Sequence, residues 1–388
     1  MNTVGAALVV LSAYTTTQRS NDMAHVFDQE ANFWWLTGIE APDWRLIIDG
    51  KTQKSWLVAP RVESHVELFD GSLAHDEAKA VSGVDGVVSR EEAAELLFKL
   101  ARQHDVVFGL DAPPFKEYVP FTLNPAPATL WRELKKTFQT TKSCRRELAR
   151  LRAIKQLPEI EMIKQAVELT TGAFTDIYAQ IDTFTHEYEV EAAFTYAFQH
   201  KGATHAYDPI VASGAHACTL HYIENRARID DTSMMLLDVG ARIGGYAADI
   251  TRTYARSRTS QRGRDIHHAV ELAHADIIAL LRPGLSVKEY SEKVDSIMKQ
   301  ALIDLGLIHS AGDAKGYRKY FPHAISHGLG IDVHDSLGNP EVFVPGMVLT
   351  VEPGIYIPEE GIGVRLEDDI LITETAHHNL SARLPSSL

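Results

Sequence analysis

Two segments of this chain place acidic residues inside strand-like apolar runs, and this combination limits its possible folds more than any other feature. The first segment, residues 235–254, reads MLLDVGARIGGYAADITRTY. The second, residues 347–373, reads MVLTVEPGIYIPEEGIGVRLEDDILIT. Each has two apolar arms around a turn rich in glycine or proline, which predicts a β-hairpin. An ionised acid in such a strand costs several kcal/mol unless a proton or a cation compensates it.

The turn positions predict which acids face each other. A turn centred on Ile243–Gly244 places Asp238 opposite Asp249, with their Cβ atoms roughly 5 Å apart. A turn centred within the Pro-Glu-Glu-Gly sequence of the second hairpin places Glu352 opposite Glu367 in the same way. Two carboxylates at that distance repel each other unless positive charge lies between them.

The segment SHGLGIDVHD lies between the hairpins and supplies His327 and His334. Two aspartates, two glutamates and one histidine form a set of hard oxygen ligands with one nitrogen. This set suits a pair of Mn²⁺, Co²⁺, Fe²⁺ or Zn²⁺ ions, whose charge four carboxylates would balance. A single acid in a strand is more often a solvated edge residue or half of a salt bridge. Several such acids at matched hairpin positions favour a metal site.

Five motifs of the chain, LLDVGA, ADITRTY, SHGLGIDVHD, TVEPGIYI and GVRLEDD, resemble those of the pita-bread metallopeptidases. This group contains the Xaa-Pro aminopeptidases (aminopeptidase P) and the Xaa-Pro dipeptidases (prolidases), and the likeness covers almost the whole chain. It implies an α+β pita-bread catalytic domain in which a metal-bridging hydroxide attacks the amide. By position, the metal ligands of the family fall on the residues that the hairpin argument selects: Asp238, Asp249, His327, Glu352 and Glu367.

The resemblance also implies roles for other residues of the cleft. Glu352 is the candidate general base as well as a ligand. His221 and His334 are expected to hold the scissile carbonyl or its oxyanion. His323 is expected near the end of the substrate.

Further groups are expected to support the ligands. Arg365 shares a strand face with Glu367 and is expected to hold a ligand carboxylate in place. Tyr356 is expected in proton transfer or product positioning, with a core tyrosine as the alternative. Thr251 is expected to orient Asp249. His216 stands where relatives often have asparagine, so the substrate contact of its loop stays open.

The length of 388 residues suggests two domains. Residues 1–140 are interpreted as a smaller α/β domain that resembles the amino-terminal domain of aminopeptidase P. Residues 141–388 are interpreted as the catalytic domain, where two helix pairs suggest an internal duplication around one strongly curved sheet. Asp28 and Glu30 depart from the family pattern in the first domain. Four strands and one helix are predicted there: Ala6–Ser12, Arg45–Ile48, Trp56–Val58 and Val106–Leu110, and Arg90–Gln103.

Composition excludes some classes of function. The net charge of −14 argues against nucleic acid or an anionic membrane as a partner. The two cysteines, Cys144 and Cys218, imply no disulfide framework and fit a reducing compartment. The start of the chain lacks a basic region, and its apolar run is too short to span a bilayer. The sequence therefore predicts a cytoplasmic protein.

The leading hypothesis is an Xaa-Pro aminopeptidase with two divalent ions, Mn²⁺ preferred, that acts on Xaa-Pro peptides. An Xaa-Pro dipeptidase with the same metals, acting on dipeptides alone, is the alternative. Methionine aminopeptidases share the ligands but usually lack a substantial preceding domain. A metal-free binding protein or a creatinase-like enzyme would require missing ligands, and none is missing. The resemblance also implies a homo-oligomer, either a dimer or a tetramer.

Overall fold

The computed structural model describes residues 6–113 and 120–387. The chain divides into two compact units, Met1–Ala149 and Arg150–Leu388, a division that lies slightly beyond the predicted boundary at residue 140. No helix in the described ranges has both the length and the apolar composition needed to cross a membrane.

The first unit contains a six-stranded mixed sheet in the order β6-β5-β4-β1-β7-β8. Side chains of β1 alternate between two apolar cores, with Leu8 and Val10 in one and Val9 and Leu11 in the other. All the strands and the helix predicted in this unit are present. Its strands are β1 Leu8–Ser12, β2 Gln18–Ser20, β3 Met23–Ala24, β4 Arg45–Asp49, β5 Lys54–Val58, β6 Gly86–Val88, β7 Val106–Gly109 and β8 Thr140–Ser143. Its helices are α1 Ala31–Thr37, α2 Ser64–Asp70, α3 His75–Ser82, α4 Arg90–Leu100 and α5 Pro125–Thr137, and α6 Arg145–Ala153 contains the boundary.

Glu30, one of the two departures from the family pattern, has a local structural role in this unit. It is the N-cap of α1, where its carboxylate accepts a hydrogen bond from Phe33 N at 2.7 Å. A carboxylate at a helix N-terminus satisfies an otherwise unpaired N–H and interacts favourably with the helix dipole. The acid at position 30 is therefore explained by helix capping.

The second unit consists of long helices and short strands. Its helices are α7 Leu157–Tyr178, α8 Glu187–Gln199, α9 Gln261–Leu280, α10 Val287–Asp304 and α11 Ala314–Tyr320. Its strands are β9 Thr204–His205, β10 Ile210–Ser213, β11 Met234–Val239, β12 Ala241–Ile243, β13 Tyr246–Ala247, β14 Ile250–Ala255, β15 Val348–Val351, β16 Gly354–Ile357, β17 Ile362–Arg365, β18 Asp368–Ile372 and β19 His377–Asn379.

The strands of this unit form several short sheets, where one continuous curved sheet was predicted. Their orders are β10-β11-β14, β13-β12-β9, β15-β18-β19 and β16-β17. The ladders break at Asp249, Glu352 and Glu367, which lie outside the named strands. An isolated bridge between Thr251 and Glu367 joins the two hairpins across one of these breaks. The sheets are therefore interrupted at three of the acidic residues that the sequence analysis selects.

His267 makes the second unit sensitive to acid. Its imidazole, on α9, is 1% exposed. Burial lowers its pKa from the ordinary 6.5 to about 4, so the ring is neutral in the folded protein and takes up a proton on unfolding as the pH falls. Keeping the ring neutral costs no free energy above pH 6.5. Below that pH the unfolded chain binds a proton that the folded protein does not, so the free energy of unfolding falls until the pH reaches about 4. The expected loss is up to about 3 kcal/mol.

Urea unfolding of His267→Asn at several pH values checks this expectation, because asparagine is polar but does not titrate. The free energy of unfolding of the variant should depend less on pH than that of the parent protein across this window. The matched control is His268→Asn, since the neighbouring His268 is exposed beside Glu271. An unchanged pH dependence in His267→Asn would contradict the assignment.

Candidate metal centre

The first hairpin carries Asp238 on β11 and Asp249 just before β14. All residues of β11 are buried. The ladder pairs Asp238 with Thr251, so the predicted pairing of Asp238 with Asp249 is wrong by two residues. The turn lies at Gly244–Gly245, which both have positive φ, one residue later than predicted. A register shift of two residues keeps the side chains on the same face, and the two carboxylates still converge.

The second hairpin carries Glu352 directly after β15 and Glu367 directly before β18. The ladder pairs Val351 with Asp368, and β16 pairs with β17 in the same register on the other side. This is the register that the sequence predicts for Glu352 opposite Glu367. The hairpin therefore presents both glutamates at the same break in the sheet.

Thr251 supports a different carboxylate from the one predicted. Its hydroxyl donates to Glu367 Oε2 at 2.7 Å, and its carbonyl accepts from Glu367 N at 3.0 Å. The prediction that it orients Asp249 is wrong, because the ladder places Thr251 opposite Asp238 and beside the second hairpin. Thr251 therefore links the two hairpins.

The imidazole of His327 is oriented as a metal ligand requires. Its Nδ1 lies 3.0 Å from the carbonyl oxygen of Gly328, so this nitrogen carries the proton and donates. Nε2 then faces the carboxylates of the cluster, with Asp249 Oδ2 at 3.3 Å and Glu352 Oε1 at 3.5 Å. A carbonyl that holds the second ring nitrogen is the usual arrangement behind a ligating histidine.

The side chains from both hairpins and from the His327 segment meet in one place. Asp249, His327 and Glu367 each belong to two of the three groups of close ligand atoms, so the groups form one cluster. Atoms within 4.8 Å of one another are offered by three overlapping groups: Asp238, Asp249 and Glu367; His327, Glu352 and Glu367; and Asp249, His327 and His334.

The electrostatics of this cluster indicate missing positive charge. Burial, reinforced by the neighbouring carboxylates, raises the pKa of Glu367 well above its ordinary value. Burial also raises the pKa of Asp238 and brings that of Glu352 to about 7. Burial opposes protonation of His327, but the hydrogen bond and charge of Asp249 outweigh it and raise the pKa of His327 to about 9. The raised pKa values mean that protons offset the crowded negative charge of these residues, a role that a bound divalent cation would fill.

Tyr207, which the sequence analysis missed, contacts two carboxylates of the cluster, and its geometry also indicates a need for positive charge. Its hydroxyl lies 2.6 Å from Oδ1 of Asp238 and 2.6 Å from Oδ1 of Asp249. A phenol has one hydrogen and donates to one oxygen only. The second short contact needs a proton or a cation nearby. The donor set and this crowding therefore fit a divalent metal ion.

Arg365, Tyr356 and His323 form a chain of hydrogen bonds beside the cluster. Arg365 donates to Asp238 Oδ2 at 2.5 Å and to the Tyr356 hydroxyl at 2.9 Å. His323 Nδ1 lies 2.7 Å from the carbonyl oxygen of Ala324, so its Nε2 accepts from the Tyr356 hydroxyl at 2.9 Å. Burial lowers the pKa of His323 to about 4, which keeps the ring neutral. Arg365 thus contacts a candidate ligand carboxylate, and Tyr356 connects it to a histidine.

A cavity of about 350 Å³ opens onto the cluster. His221, His323 and His334 all line it together with the five candidate ligands. The ring of His334 packs edge-on against that of His327, with centroids 4.4 Å apart, and burial lowers the pKa of His334. The structure therefore brings the five candidate ligands, the three histidines and Arg365 to the cavity wall. Tyr356 contacts His323 and Arg365, and Thr251 contacts Glu367, so these two predicted residues support lining residues from outside the wall.

Asp369 is a second residue that the sequence analysis missed. It is fully buried, and its Oδ2 accepts from Asp249 N at 3.0 Å. Burial and the charge of Asp249 raise its pKa well above the ordinary value. Its place in the quoted GVRLEDD motif was an available signal. Tyr207 offered none, because a single tyrosine in a loop has no local pattern.

The fold and the acid cluster define a metal-dependent hydrolase of the pita-bread class. The model of metallopeptidase family M24 matches residues 161–374, and the model of the aminopeptidase P N-terminal domain matches residues 1–108. The chain belongs to metallopeptidase family M24, in its aminopeptidase P group, and is a metallo-exopeptidase.

Relatives and solved structures agree with this assignment. The chain is 33% identical to Xaa-Pro aminopeptidase of Escherichia coli (strain K12), over 97% of this chain and 91% of the relative. It is 34% identical to Xaa-Pro aminopeptidase 3 of Homo sapiens, over 98% of this chain and 79% of the relative. The structure of E. coli aminopeptidase P with the inhibitor Pro-Leu superposes with a TM-score of 0.86 at 30% identity, covering 99% of this chain and 92% of the other.

Proposed function

We propose that this chain is an Xaa-Pro aminopeptidase that holds two divalent ions, with Mn²⁺ preferred. The observation that carries the proposal is the convergence of two aspartates, two glutamates and one histidine on one cavity. The candidate ligands are Asp238, Asp249, His327, Glu352 and Glu367. The chemistry that bound divalent ions supply is activation of water and polarisation of a carbonyl.

The other steps of the proposed reaction are assigned to residues around the cavity. Glu352 faces the cavity and is proposed to accept the proton of the attacking water and to return it to the leaving nitrogen. His221 and His334 are proposed to hold the scissile carbonyl oxygen as negative charge develops on it. Arg365 keeps Asp238 in position through its 2.5 Å contact.

His323 and Tyr356 are proposed to act at the end of the substrate. Their 2.9 Å hydrogen bond connects the cavity wall to Arg365. Because the His323 ring is neutral, its Nε2 can accept a hydrogen bond or a proton without first losing one. This pair therefore supports transfer or positioning at the product stage.

Cleavage before proline requires a site that does not depend on an N–H of the scissile amide and that accepts an apolar ring. An Xaa-Pro bond has no N–H, and the ring adds apolar surface. Apolar side chains of the same cavity support this part of the proposal: Ile210, Leu220, Ile223 and Val333.

Turnover of Gly-Pro and Arg-Pro-Pro, measured with and without added Mn²⁺ on chelator-treated protein, tests the proposed function. We expect Mn²⁺-dependent release of arginine from Arg-Pro-Pro and a metal content near two ions per chain. Turnover confined to Gly-Pro would favour a dipeptidase. Metal content near zero in protein purified without chelator, with no activation by Mn²⁺, would contradict both peptidase functions and favour a metal-free binding protein.

A further inference from the structure

One wall of the cavity is formed by a loop. Residues 214–227, here called the His221 loop, begin with a short 3-10 helix at Gly214–Cys218 and contain no strand. Leu220, His221 and Ile223 of this loop line the cavity. No sheet ladder holds this loop. The position of His221 therefore depends on the packing of the loop's apolar side chains and on its hydrogen bonds to residues outside the loop.

The buried carboxylate of Glu187 contacts both ends of this loop. Its Oε1 accepts from Ser213 N at 2.9 Å and from Ser213 Oγ at 2.7 Å, and lies 3.2 Å from His216 Nδ1. Its Oε2 accepts from the Tyr222 hydroxyl at 2.8 Å and from Ala227 N at 2.9 Å. One side chain thus joins the start, the middle and the end of the segment.

The surroundings of Glu187 favour the ionised form that these contacts require. Burial opposes ionisation, but hydrogen bonds from Ser213, Ala227 and Tyr222 outweigh it and lower the pKa of Glu187. Glu187 also opens α8, where the helix dipole favours negative charge. An ionised carboxylate has about four acceptor positions, and the loop supplies donors for them.

Asn225 forms a second attachment of the same loop. It is buried, with a positive φ of 47°. Its side chain accepts from Val211 N at 3.0 Å and donates to Pro209 O at 2.9 Å and to Glu191 Oε2 at 2.9 Å. The stretch that carries His221 is therefore held from both sides, by α8 and by the residues around β10.

We propose that Glu187 is a positioning residue of this site, which fixes the His221 loop so that His221 faces the cavity. The kinetic part of this inference rests on the proposed function, whereas the anchoring of the loop does not. Displacement of a substrate-binding group by about 1 Å can cost about a hundredfold in rate. Glu187 contacts none of the candidate metal ligands through the hydrogen bonds described above, so its loss should leave the metal in place.

The test compares Glu187→Gln with Glu189→Gln in the full-length, metal-loaded protein. Glu189 lies in the same turn of α8 but accepts from the backbone of Thr185 and His186, away from the His221 loop. Three quantities are measured: kcat and KM on Arg-Pro-Pro, metal content, and hydrogen exchange of residues 214–227.

Glu187→Gln should lower kcat/KM by about 10- to 100-fold, accelerate exchange in the loop and leave the metal content unchanged. Glu189→Gln should match the parent protein in all three. If Glu187 acts through His221, adding Glu187→Gln to His221→Ala should cost little more than His221→Ala alone. Fully multiplicative losses in the double variant would overturn the positioning role.

Tyr222→Phe keeps the proposal testable if Glu187→Gln does not fold, because it removes one donor to Glu187 and retains the ring stacked on His216. It should shift loop exchange and kcat/KM in the same direction by a smaller factor. Parent-like exchange and kcat/KM in a folded variant would overturn the proposal. If the parent protein has no Xaa-Pro activity but Glu187→Gln alone loosens the loop, the anchoring stands and the proposed function fails.

Discussion

Glu367→Gln is expected to remove nearly all peptidase activity and yet to stabilise the protein when its metal has been stripped. Glu367 is a candidate ligand shared by two groups of donor atoms, and loss of such a ligand is expected to remove several kcal/mol of transition-state stabilisation, or about a thousandfold in turnover. Thr251 can still donate to the glutamine carbonyl oxygen, as it does to Glu367 Oε2 at 2.7 Å. The local fold should therefore survive the substitution.

The gain in metal-free stability has an electrostatic cause. Because the pKa of Glu367 is raised well above its unfolded value, folding at neutral pH requires this carboxyl to take up a proton, which costs free energy. Glutamine removes that cost. The stability difference between variant and parent should be greatest at neutral to alkaline pH and should vanish as the pH falls below the unfolded pKa of about 4.5.

Thermal unfolding with chelator and with Mn²⁺ measures both effects. The parent protein should gain stability from Mn²⁺ by mass action, and the variant should gain much less. Glu374→Gln is the matched control, since Glu374 is an exposed glutamate shortly after Glu367 in the chain. Parent-like activity and an undiminished Mn²⁺ response in Glu367→Gln would show that Glu367 is not a ligand.

Arg252→Met is expected to lower the free energy of unfolding by about 3–5 kcal/mol, because it leaves the buried carboxylate of Asp368 without its cation. Burial opposes ionisation of Asp368, but Arg252, His274 and Ser381 outweigh it and hold the pKa well below its usual range. The guanidinium of Arg252 donates to five acceptors: Pro385 O at 2.9 Å, Thr251 O at 2.9 Å, Glu367 O at 2.7 Å, Leu384 O at 2.8 Å and Asp368 Oδ1 at 2.6 Å.

Urea unfolding of the metal-free protein measures this loss. The double variant Arg252→Met with Asp368→Asn should lose less than Arg252→Met alone, since no uncompensated charge remains. Arg383→Met is the exposed control, because Arg383 is 89% exposed and lies 3.8 Å from Glu168. A loss below about 1 kcal/mol in Arg252→Met would place this pair with ordinary surface salt bridges.

The two hairpins show how far local sequence patterns extend. Apolar runs interrupted by acids predicted that Asp238, Asp249 and Glu367 are buried, since burial in a strand follows from composition and alternation. The first register was wrong because the turn uses Gly244–Gly245, both with positive φ, a pair that favours a type I′ turn. The error did not separate the carboxylates, because side chains two residues apart share a face.

The contacts that organise the site could not be predicted from local patterns. Tyr207 contacts Asp238 and Asp249, which are 31 and 42 positions away along the chain. Asp369 contacts Asp249 across 120 positions. Glu187 reads locally as a helix-opening residue, and only the folded chain brings Tyr222 to it. No spacing rule connects such pairs, because packing between distant segments decides which of them meet.

The amino-acid sequence by itself determined the strands of the hairpins, the acids that they bury and the ligand chemistry that those acids offer. Those properties depend on side-chain polarity and turn residues within a few positions of one another. The tertiary structure decided which hydroxyl, guanidinium or backbone group satisfies each buried charge and how the His221 loop becomes a cavity wall. These outcomes depend on how distant segments pack, since a buried polar group is stable only beside partners that the fold brings to it.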